Sequence, residues 1–99
     1  EAERHGFYAD CDEAVARRAY ERLRPTPGVP FTELCPVSEW PAVPSTYLLM
    51  RADRAVGPDW SRRVAGQIGA DLVELEGSHS PFYSRPAELA DVLTSLLGG

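Results

Sequence analysis

The chain has 99 residues, 43% of them hydrophobic and 25% charged, an ordinary globular composition with room for at most one small domain. A net charge of −5 argues against a nucleic-acid surface, which needs a basic patch, and no apolar run approaches the roughly 20 residues of a membrane span. Two cysteines, Cys11 and Cys35, make neither a disulfide framework nor a metal cluster, and they read as packed thiols of a cytoplasmic protein.

The first eight residues are polar and read as irregular, and "EAERHGFYAD" has no basic-then-apolar signal pattern. Asp10 followed by Glu13 has the capping spacing of a helix start. Val15, Ala19, Tyr20 and Leu23 then recur at helical spacing, with Arg17, Arg18, Glu21 and Arg22 facing outward. "RPTPGVP" at 24–30 cannot continue a helix, and residues 31–45, with three more prolines, read as an extended connector. "TYLLMR", Thr46 to Arg51, is a short apolar run that suits a strand buried on both faces. After the loop "ADRAVGP", Pro58 suits the first turn of a helix lined by Trp60, Val64 and Ile68, and Gly69 is a natural stop. "DLVEL", Asp71 to Leu75, is a second strand. Beyond it lies a small-residue loop holding His79, then a helix starting at Pro86 with Leu89, Val92, Leu93, Leu96 and Leu97 as its apolar stripe. Strands alternating with helices predict a βαβ crossover and a parallel pair, hence an α/β fold.

Parallel strands finish on one side of a sheet. Asp53 lies two residues past the first run and His79 four past the second. Neighbouring strands are about 4.8 Å apart, so this carboxylate and imidazole can meet where open α/β sheets hold their ligands. An Asp that accepts from one ring nitrogen leaves the other free to act as a base.

"STYLLMRADRAVGPDWSRRVA" followed by "LVELEGSHSPFYSRPAELADVL" closely resembles the C-terminal part of α/β-hydrolases. The nearest branch holds plant salicylate-ester esterases, hydroxynitrile lyases and their bacterial relatives. The family sets an Asp in D-x-x-x-x-P after one strand, met by Asp53 and Pro58. It sets a His in G-x-H after the last strand, met by Gly77 to His79, with a P-x-x-L helix following, here Pro86 to Leu89. "FYADCDEAVARRAYERLRPTP" looks more loosely like the tail of the family's helical cap. The resemblance implies a cap end and Pro-rich connector over 1–40 and, over 41–99, the C-terminal βαβα segment of the hydrolase core. It implies a Ser-Asp-His triad acting on a small-molecule carboxylic ester, without metal or cofactor. Asp53 would orient His79, and Phe82 and Tyr83 would line an apolar pocket, with Phe7, Tyr8 and Trp40 as further aromatic candidates.

The family's G-x-S-x-G elbow has no counterpart here: Ser38, Ser61, Ser78 and Ser80 all stand in other contexts, and the oxyanion-hole loop is also absent. The resemblance therefore implies a C-terminal piece whose nucleophile lies elsewhere and which is inactive by itself. Such a piece exposes a strand edge and is expected to self-associate or to bind the missing N-terminal half. Cyanohydrin cleavage is disfavoured because Ser80 stands where the plant lyases carry a lysine, while thioester hydrolysis stays open. The alternatives are an inactive fragment or association module, and a self-contained α/β interaction module in which Asp53 and His79 coincide by chance.

Overall fold

A computed structural model describes residues 2–98, with side chains from residue 5 onward. The two apolar runs form β1 (Thr46–Met50) and β2 (Asp71–Leu75), paired in parallel with Thr46 opposite Asp71 and Met50 opposite Leu75. Between them runs α4 (Pro58–Ile68), with proline in its first turn and Gly69 in the left-handed conformation at its end (φ 70°). Three helical segments precede the sheet: α1 (Ala2–Phe7), α2 (Glu13–Glu21) and α3 (Val29–Thr32). Two follow it, α5 (Pro81–Ser84) and α6 (Pro86–Gly98).

The crossover helix meets the sheet through small residues. Ser61 and Ala65, one turn apart, are buried, and the Tyr47 hydroxyl donates to Ser61 Oγ at 2.9 Å. Trp60, expected on this face, is 51% exposed. It sits about 100° around the helix from Ser61, and the small pair lets α4 approach more closely than an indole would. The expectation of a strand buried on both faces holds only for the end of β1: Leu49 is 1% exposed and Met50 is buried, while Thr46 and Leu72 are exposed. Two strands cannot cover one another's outer edges. At the rim, Arg62 grips Glu74 through two hydrogen bonds (2.9 and 3.2 Å), and Arg51 reaches both Glu74 and Glu76. The Arg62 guanidinium, aided by Arg51, holds the Glu74 carboxyl below its ordinary pKa.

The N-terminal segment departs most from expectation. Residues read as irregular form α1, and α2 starts after Asp12 rather than from a cap at Asp10. Ala16 and Ala19 are its buried residues, packed with Tyr8, Phe7 and Cys11, while Tyr20 and Leu23 are exposed. Burial pushes the Tyr8 hydroxyl and the Cys11 thiol up, the latter helped by the charge of Asp10. The connector holds α3, with Pro30 in its first turn. Cys35 is exposed rather than packed, and both cysteines are free thiols. Much apolar surface stays uncovered, including Leu34 at 95% exposure and, in α6, Leu97 at 90%. Among the described residues no helix is long and apolar enough to cross a membrane.

Candidate active site

The parallel ladder continues past both strands. Arg51 N–H donates to the Leu75 carbonyl at 3.0 Å, and Ala52 N–H to the Gly77 carbonyl at 2.9 Å. The loops carrying Asp53 and His79 thus leave the sheet side by side. Asp53 Oδ1 accepts the backbone N–H groups of Ala55 (2.8 Å) and Val56 (2.9 Å), so its own turn fixes the carboxylate. His79 Nδ1 lies 3.1 Å from Asp53 Oδ2 and 3.2 Å from Oδ1. With the Asp53 side chain only 13% exposed and that of His79 34%, the pair is partly sheltered from water. A neutral imidazole that donates from Nδ1 keeps its basic lone pair on Nε2, and the carboxylate stabilises the ring once it takes a proton. The Phe7 ring packs on the imidazole with centroids 5.2 Å apart and planes 30° from parallel.

The histidine loop is tightly held. Gly77 adopts φ +118°, and a Cβ there would lie 3.0 Å from Arg85 Nε and 3.2 Å from Asp10 Oδ2. That same Asp10 oxygen accepts the Ser78 N–H at 3.0 Å. Ser78 and Ser80, on either side of His79, are both buried, and Ser78 Oγ makes no hydrogen bond.

An open cleft of about 420 Å³ touches every residue from Tyr47 to Met50. No described residue of β2 forms its wall, so it runs along the edge of β1 that β2 leaves free. Asp53 and His79 at the strand end, Ser61 of α4, and Leu89 and Leu93 of α6 line it. Of the aromatic candidates, Phe82 lines the cleft. Tyr83 does not: it packs edge-on against Tyr8 (5.7 Å) and faces α2, because the turn of α5 sends successive side chains in different directions. Tyr8 belongs to the core, and Trp40 hydrogen-bonds to Ser45 away from the cleft. Among the described residues no three His, Cys, Asp or Glu side chains converge as metal ligands would.

Sequence reasoning missed Asp10 as a partner of the histidine loop and Ser61 as part of the cleft wall. Asp10 lies in a turn remote in sequence from the strand ends, and Ser61 lies on the crossover helix, where only packing against Tyr47 brings it to the cleft. The one clue was the "FYADC" stretch, whose weak likeness to a hydrolase cap placed it near the site.

The alpha/beta hydrolase family model matches residues 1–92, taking in the N-terminal helices as well as the sheet, and the chain belongs to that family. No curated protein matches the chain.

Proposed function

We propose that this member of the alpha/beta hydrolase family provides the Asp and His of a Ser-Asp-His triad that hydrolyses small carboxylic esters. The observation that carries the reading is the contact of His79 Nδ1 with both oxygens of Asp53 at the carboxyl ends of two parallel strands. In this reading Asp53 fixes the tautomer, and Nε2 of His79 takes the proton of the attacking serine and returns it to the leaving alcohol. Phe82 and the leucines of α6 form an apolar wall for the substrate. Residues 1–40 act as the end of a cap and its connector, and residues 41–99 as the C-terminal βαβα segment of the core.

The nucleophile and oxyanion hole come, in this proposal, from outside these 99 residues. Ser61 lines the cleft but its hydroxyl is engaged by Tyr47, and Ser78 and Ser80 are buried within the histidine's own loop. The free edge of β1 is where the polypeptide supplying them would pair. That edge also supports a second reading, an association module without catalysis.

The test is hydrolysis of a p-nitrophenyl ester by this chain completed with an upstream segment that bears a serine elbow. His79→Ala and Asp53→Asn should each lower turnover by about 10³–10⁴-fold. Turnover within tenfold of the parent in both variants would reject the triad and leave the association module. An active protein that prefers thioesters over the matching esters would keep the triad and replace the substrate class.

A further inference from the structure

The second peptide group before His79, joining Gly77 to Ser78, is gripped at both of its polar ends. Its carbonyl, from Gly77, accepts the Ala52 N–H at 2.9 Å, and its N–H, from Ser78, donates to Asp10 Oδ2 at 3.0 Å. Ala52 immediately precedes Asp53, so the first grip ties this peptide to the Asp53 loop. Asp10 lies between α1 and α2, so the second grip ties it to the N-terminal helices. We propose that Asp10 is a positioning residue for His79, holding the Gly77–Ser78 peptide plane in the orientation that brings the ring to Asp53. This rests on the Asp53–His79 pairing put forward above.

The loop needs such a restraint. Gly77 has no Cβ to bar rotation and already sits at φ +118°, so with one end released the peptide plane can turn. Ser78 Oγ is buried with no hydrogen bond and gives the loop no other anchor. Asp10 itself is steadied: Arg85 Nε lies 3.8 Å from its Oδ2, and Arg85 is held in turn by Glu88 at 3.2 Å at the start of α6. A hydrogen bond to a charged acceptor is stronger and shorter than a neutral one, which suits a carboxylate for this task. Phe7, three residues earlier, packs on the ring, so one short N-terminal segment fixes both the backbone and the imidazole of His79. Asp10 bonds the backbone beside His79 rather than its ring, and so acts only through it.

The experiment is solution NMR on the 99-residue chain, reading the His79 Nδ1 proton and the hydrogen-exchange rate of the Ser78 amide. In Asp10→Ala the Ser78 amide should exchange at least about tenfold faster, and the Nδ1 proton should broaden or disappear. The amides of Arg51 and Asp71, bonded to Leu75 and Ser45, report whether the sheet persists. Asp10→Asn keeps an acceptor oxygen and should restore both signals. Wild-type exchange at Ser78 and an unchanged Nδ1 proton in Asp10→Ala would overturn the inference. If Asp10→Ala melts the sheet, Asp10→Asn decides: retained signals support the positioning role, and their loss, with or without the fold, defeats it. A wild-type chain lacking any Asp53-bonded Nδ1 proton would instead defeat the pairing itself.

Discussion

Gly77→Ala concentrates the strain of the histidine loop into a single methyl group. At φ +118° an L-residue lies outside its allowed regions, a backbone cost of about 1–3 kcal/mol. The added Cβ would also meet Arg85 Nε at 3.0 Å, Arg85 Cδ at 3.1 Å and Asp10 Oδ2 at 3.2 Å. Arg85 can yield cheaply: its side chain is 41% exposed, and its ion pair with Asp10 spans 3.8 Å, so swinging away costs under about 0.5 kcal/mol. Asp10 cannot retreat without stretching its bond to the Ser78 N–H, worth about 1–2 kcal/mol. The expected total is about 2–5 kcal/mol, a large share of what holds a small domain folded. Gly66→Ala is the matched control. Gly66 lies on the exposed side of α4 with open space around it, so alanine there should stabilise by about 0.5–1 kcal/mol through helix propensity. Urea unfolding followed by circular dichroism measures both. A Gly77→Ala midpoint equivalent to less than about 0.5 kcal/mol of lost stability would show that the loop adapts freely and that its conformation is not enforced.

Leu49→Ala should cost about 2–4 kcal/mol in the same assay, because Leu49 is 1% exposed at the one well-buried end of the sheet, and a cost under 1 kcal/mol would mean that this end is not packed. Iodoacetamide should label exposed Cys35 well before Cys11, whose thiol is held protonated by burial and by the Asp10 charge; equal rates by peptide mass mapping would contradict that packing. Glu74→Gln should lower the melting temperature at pH 7 by removing the partner of Arg62 and Arg51. Because folding depresses the Glu74 pKa, its contribution is present above the ordinary carboxylate pKa and is lost as pH falls through the folded value. The melting gap between wild type and variant should therefore close on acidification, and a gap that widens would invert the assignment.

Elements with local causes were legible in the residue string. Pro58 and Gly69 bracket α4 because a fixed φ suits a first helical turn and a left-handed residue suits a last one. The alternation of apolar runs with helical periodicity required a parallel pair, and a parallel pair sets Asp53 and His79 at one end of the sheet. What no spacing rule contains is the choice among residues of similar local merit. Asp10 and Asp12 both satisfy the chemistry of a helix cap; only the folded chain sends Asp10 to the Ser78 amide and leaves Asp12 at the helix start. Phe82 and Tyr83 are equal candidates as neighbours, yet one turn of helix points them at different surfaces. Trp60 follows the helical apolar pattern, but the close approach of α4 to β1 favours Ser61 and Ala65. Local structure follows from propensity and stereochemistry within a few residues. The assignment of partners depends on which remote atoms occupy the same few ångströms, and packing alone decides that.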